Sequence, residues 1–88
     1  MKKQVLVSQL IEVEVDEAKF TPAFMEEFRG YLYAFKSLND HLEHLAQLKA
    51  RGLVDDFGDP FIEGYGQSSE MGIKMHAVPH STETEIQP

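Results

Sequence analysis

The sequence predicts an α+β domain of β-α-α-β order, with a helical hairpin packed on a two-stranded antiparallel sheet. Three observations carry that prediction. Residues 21–52 hold two successive apolar stripes of helical period, each with its own start signal. Residues 4–16 alternate apolar and polar side chains, the period of a strand with one buried face. Residues 73–86 alternate in the same way, and a chain of 88 residues forms a single domain of this size.

The first strand is expected over 4–16. Val5, Val7, Ile11, Val13 and Val15 take odd positions, broken only by Gln9, while Leu6, Ser8, Leu10, Glu12, Glu14 and Asp16 take even ones. Residues 17–20 link it to a first helix, expected over 22–35. Thr21 can cap that helix and Pro22 suits its first position, with Glu26 and Glu27 in or near the first turn. Phe24, Met25, Phe28, Tyr31, Leu32 and Phe35 supply its apolar stripe. A second helix is expected over 38–51, with Ser37 and Asp40 in capping-box spacing. Its stripe is Leu38, Leu42, Leu45 and Leu48, with His41 alongside. Gly52 is placed for a left-handed stop that folds Leu53 back on Leu48.

Residues 54–72 read as a long loop, rich in turn formers but carrying Phe57, Phe61 and Tyr65, and it is expected to wrap the helical pair. The last strand is expected over 73–86, with Pro79 at an edge or bulge. The two strands fit an antiparallel register in which residue numbers sum to about 88. That register buries Val15 by Ile73, Val13 by Met75 and Ile11 by Ala77. On the open side it sets Glu14 by Lys74, Glu12 by His76, Leu10 by Val78 and Leu6 by Thr82. Leu6, Leu10 and Val78 are then an apolar patch without cover. Because a two-stranded sheet is marginal alone and its edges invite pairing, the patch is the expected interface of a homodimer.

Composition narrows the chemistry. A net charge of −7, from 15 acids and 8 bases, argues against direct nucleic-acid binding, which needs a basic footprint. The absence of cysteine removes disulfides and thiolate chemistry and suits a reducing cytoplasm. No apolar run is long enough for a membrane span. Glu12, Glu14, Asp16, Glu17, Glu26 and Glu27 place six acids within 16 residues, a candidate surface for a basic protein partner or simply a solvated face.

No catalytic pattern stands out. His41 and His44 share a helix face near Asp40 and Glu43, and His76 and His80 share a strand face, but the spacing of the zinc proteases is missing. Asp55, Asp56 and Asp59 around Gly58 lack the ligand spacing of a calcium loop. Gly64-Tyr65-Gly66 reads as a turn with an aromatic anchor, and Ser68, Ser69 and Ser81 have no evident His–Asp partners. No metal, cofactor or catalytic residue is expected.

Residues Val15-Asp16-Glu17-Ala18-Lys19-Phe20-Thr21-Pro22, Phe24-Met25-Glu26-Glu27-Phe28-Arg29, His41 to Leu48 and Phe61 to Gly66 resemble small uncharacterised proteins of bacteriophages and prophages. The resemblance covers most of the chain and carries no site residues. It implies a bacterial cytoplasmic setting and a small protein that disarms a host defence, as anti-CRISPR proteins do. The expected function is a non-catalytic acidic interaction protein that binds and inhibits or modulates a host protein, with a basic nucleic-acid-handling complex the favoured target. The alternatives are a structural or accessory phage assembly protein and a small metal-dependent enzyme using the histidines.

Overall fold

A computed structural model describes residues 1–55 and 57–88. The expected α+β architecture is present: two helices and small antiparallel sheets. In chain order the elements are β1 (Val5–Ser8), β2 (Ile11–Glu14), α1 (Pro22–Tyr31), α2 (Leu38–Ala50), β3 (Phe61–Ile62), β4 (Gly66–Gln67), β5 (Lys74–Ala77) and β6 (Glu83–Ile86). Short 3₁₀ turns occupy Glu17–Lys19 and Ser68–Met71.

The helix starts follow the local chemistry. Thr21 Oγ1 accepts from the Phe24 N–H at 3.1 Å, with Pro22 in the first turn. Glu26 and Glu27 fall just beyond that turn, which contains no acid. Ser37 and Asp40 close a full capping box on α2. At its far end Gly52 takes φ 72°, its N–H reaching the Lys49 carbonyl at 3.0 Å and the Leu53 N–H reaching Leu48 at 2.9 Å. That pair of bonds is the Schellman stop.

The first helix is shorter than its stripe suggests. It stops at Tyr31 rather than running to 35, and Leu32 leaves helical geometry at φ −125°, ψ −83°. Gly30 weakens the last turn, and the aromatics beyond it pack better outside the helix. Phe35 stacks on Phe28 at 5.5 Å and Tyr33 stacks on Phe35 at 5.3 Å. Arg29 Nη1 fixes the reversal by donating to the Phe35 carbonyl at 3.1 Å. The second helix ends at Ala50, with Arg51 as its cap.

Residues 54–72 are not a structureless loop. They contain the β3–β4 hairpin and a 3₁₀ turn, and they contribute Ile62, Tyr65 and Met71 to the core. Asp59 organises the turn: its carboxylate accepts from Ser68 Oγ (2.9 Å), Ser69 N (2.8 Å) and Ser69 Oγ (2.6 Å). The remaining core residues are Phe20, Phe28, Leu45 and Ile73, with Val13, Val15, Phe24, Leu32, Phe35 and Met75 packed around them.

The long terminal strands are each broken in two. Strand 4–16 divides into β1 and β2 around Gln9 and Leu10, and strand 73–86 divides into β5 and β6 around residues 78–82. Between β2 and β5 the register is the expected one, with Ile11 opposite Ala77, Glu12 opposite His76, Val13 opposite Met75 and Glu14 opposite Lys74. Between β1 and β6 it is different. Leu6 faces Glu85, not Thr82, and Val5 faces Ile86. The sum of paired residue numbers rises from 88 to 91 because the β5–β6 connection holds three more residues than the β1–β2 connection. Pro79 cannot continue a ladder, and His80 at φ 60° turns the chain into this wide bulge.

Candidate functional site

Only the β2–β5 half of the long ladder lies on the helices. Ile73 is buried, Val13, Val15 and Met75 pack on the core, and β2 and β5 lie against α2, whereas every residue of β1 and β6 is exposed. The β1–β6 ribbon therefore projects from the body. The molecule measures 49 × 28 × 18 Å with a radius of gyration of 15.1 Å, against about 12 Å for a compact chain of this length.

The ribbon is amphipathic across its own thickness. Directly opposed residues share a face, so Val5 and Ile86 stand with Val7 and Thr84 on one side. Leu6, Ser8, Glu83 and Glu85 make up the other. The first face is apolar yet solvent-exposed, with Val5 at 49%, Val7 at 61% and Ile86 at 66%. Sequence alternation alone puts Val5 and Val7 on the buried face with Val13 and Val15; packing on the core stops at Val13 and Met75, Ile11 is only half-buried, and Ala77, expected to be buried beside it, is exposed.

The predicted patch of Leu6, Leu10 and Val78 is only partly one surface. Leu6 and Leu10 are exposed and Val78 is half-buried. Leu10 and Val78 are joined as expected, the Val78 N–H donating to Leu10 at 2.9 Å. Leu6, however, lies beyond the bulge and beside Glu85.

The six candidate acids do different jobs. Glu12 Oε2 lies 2.9 Å from His76 Nε2, and Glu14 stands opposite Lys74. Asp16 is spent on capping the first 3₁₀ turn through the Ala18 N–H at 3.1 Å, with Glu17 beginning that turn. Glu26 and Glu27 project from exposed positions of α1.

The histidines separate as well. His41 is fully buried among Phe20, Phe24, Phe28, Phe35 and Tyr65, with Nδ1 2.8 Å from the Tyr65 hydroxyl. Burial lowers its pKa and that of half-buried His44, and it raises that of Tyr65, keeping the phenol neutral. Nε2 of His41 has no conventional partner. A Tyr65 O–H donated to Nδ1 leaves the proton on Nε2, in an imidazole whose ring centre lies 4.7 Å from that of Phe28 and 5.1 Å from that of Phe35, both in edge-to-face geometry. This constellation is a core device. Among the described residues no three His, Asp or Glu side chains converge as a metal site. Asp56, part of the calcium-loop reading, lies outside the described residues.

No family model, curated protein or solved structure matches this chain. Among the described residues no helix is long and apolar enough to cross a membrane.

Proposed function

We propose that this chain is a non-catalytic interaction protein that binds and inhibits or modulates a host protein, using the β1–β6 ribbon as its contact element. One observation carries the reading: Val5, Val7 and Ile86 form an exposed apolar face on a ribbon that contributes nothing to the core. Water-exposed apolar surface collected on one face of a projecting element is characteristic of a surface that another protein covers. The engaged histidines are consistent with packing and pairing roles. The phage resemblance would put the partner in a bacterial host, and the surplus of acids suits a target with basic grooves.

Affinity capture from a bacterial lysate tests this when parent and ribbon variants are run side by side. A protein held by the parent and lost with Val5→Lys and Val7→Lys, both variants remaining folded, supports the ribbon. Retention by those variants together with loss on reversing Glu26 and Glu27 to Lys shifts the contact to the acidic stretch. A parent that captures only other phage structural proteins favours an assembly role.

A further inference from the structure

We propose that the free edge of β1 pairs with the β1 edge of a second copy, antiparallel about a two-fold axis at Leu6, giving a four-stranded sheet of order β6-β1-β1-β6. The inference rests on the ribbon being a contact element and names its first partner as another copy of this chain.

The hydrogen-bond direction, taken with the bounds of β1, selects the register. The Gln87 N–H donates to the Gln4 carbonyl at 2.8 Å, and Gln4 lies directly opposite Gln87 when the ladder is continued. Backbone groups alternate sides along a strand, so Gln4, Leu6 and Ser8 bond toward β6. Val5 and Val7 direct theirs to the open edge. Two β1 edges satisfy all four of those residues when Val5 of each copy pairs with Val7 of the other. The dyad then falls on Leu6, with the Leu6 side chains adjacent across it.

Charge selects the edge. Residues 2–10 contain two lysines and no acid, and the proposed register sets Lys3 opposite Gln9. The same operation on β6, whose outward groups belong to Thr84 and Ile86, would place Glu85 against its own copy. Like charges directly opposed are unfavourable, and here neither has a basic neighbour across the dyad. Pairing β1 with β6 of another copy would be head-to-tail and would not close as a two-fold dimer.

Geometry allows the arrangement. Ile11, where the ladder meets the body, lies about 17 Å along the strand from the dyad, so the helical bodies sit at opposite ends of the sheet. The product also deepens the binding surface. Each copy adds Val5, Val7, Thr84 and Ile86 to one continuous face, so a platform that is narrow on one ribbon is doubled by the second. Four strands replace two, past the three at which a sheet with an apolar face stops being marginal.

The test uses the full chain, which has no cysteine of its own. The parent should sediment as a dimer, and Leu6→Cys should oxidise to a disulfide-linked dimer while Glu85→Cys does not. Val7→Pro removes an outward N–H without touching the β1–β6 bonds and should halve the mass. If that variant fails to fold, Leu6→Glu should halve it instead by setting charge against charge on the axis, with Glu85 opposite each one adding to the repulsion. A parent that remains monomeric at high concentration overturns the proposal, as does cross-linking at position 85 in place of position 6. A monomeric parent whose host-protein capture still depends on Val5 and Val7 removes the second copy only. Capture indifferent to those residues removes the contact-element reading itself, whatever the mass.

Discussion

Replacing Tyr65 by Phe deletes one oxygen from the centre of the molecule and tests how the core tolerates polarity. The hydroxyl lies 2.8 Å from His41 Nδ1, in a residue that is itself buried. Its loss leaves an imidazole with neither nitrogen hydrogen-bonded, since the buried Nε2 already has no hydrogen-bond partner. Stranding a buried polar group costs about 1–3 kcal/mol. His41→Phe strands the tyrosine hydroxyl at similar cost, whereas the double variant removes both groups and should recover most of the loss. The pH profile gives a second reading. Burial depresses the folded pKa of His41 below its ordinary 6.5, with Asp40 opposing the shift and His44 and Arg29 adding to it. As pH falls the unfolded chain takes up the proton first, so stability declines from about pH 6.5 down to the folded pKa. The slope is about 1.4 kcal/mol per pH unit for each such group. His44, lowered by the same cause, adds in the same direction. Asp40 and Asp59 are depressed by hydrogen bonds, from Lys36 and Ser69 foremost, and act only at lower pH. Denaturant unfolding of all four proteins across the range should show His41→Phe with a flatter profile than the parent. An unchanged profile, or a double variant as unstable as the two losses summed, would refute the coupling.

Three further substitutions probe the body. Leu45→Ala and Phe28→Ala empty buried volume at 0% and 3% exposure and should each cost about 2–5 kcal/mol, read as lowered urea midpoints; wild-type midpoints would place both stripes in solvent. Gly64→Ala should destabilise by about 1–3 kcal/mol in the same assay, because a Cβ at φ 88° would collide with Leu32 and Phe28, and an unaffected midpoint would mean the β3–β4 turn does not press on α1.

What was legible in the sequence was local. Thr21, Ser37, Asp40 and Gly52 act on backbone groups a few residues away, so both helix starts and the second stop follow from spacing alone. The Glu12–His76 and Glu14–Lys74 pairings followed from alternation, because β2 and β5 run without interruption. The end of α1 did not follow. Phe35 sits at a helical offset from Phe28 and reaches the same ring from a loop, so periodicity could not tell the two routes apart. Nor did alternation show that His41 is enclosed, since the five rings around it come from separate segments. The ribbon had a signal that length would have exposed. A 13-residue helix spans about 20 Å, whereas strand 4–16 would span about 43 Å. The helices could never have covered it, and Pro79 marks where cover ends.

The joint between body and ribbon decides whether that projecting surface is held or loose. Ser81 serves both sides of the bulge: its hydroxyl donates to the Val78 carbonyl at 2.6 Å and accepts from the Leu10 N–H at 3.2 Å. Ser81→Ala removes both bonds at a site open enough for water to replace them, a net cost of about 0.5–1.5 kcal/mol. None of the buried core residues lies in β1 or β6. The loss should therefore appear as local opening rather than as reduced stability of the body. Amide exchange of Leu6 and Ser8, whose N–H groups bond within the ribbon, should quicken by about 2- to 10-fold, with the body's thermal midpoint unchanged. Val5 and Val7 report separately. Their outward N–H groups exchange freely on a single ribbon and become protected only when another strand covers the edge. Protection of Val5 and Val7 that deepens with protein concentration, and fades in Ser81→Ala, would tie the hinge to assembly. A variant that melts the whole domain would show instead that the ribbon is part of the cooperative core, and the argument for a projecting contact element would fall with it.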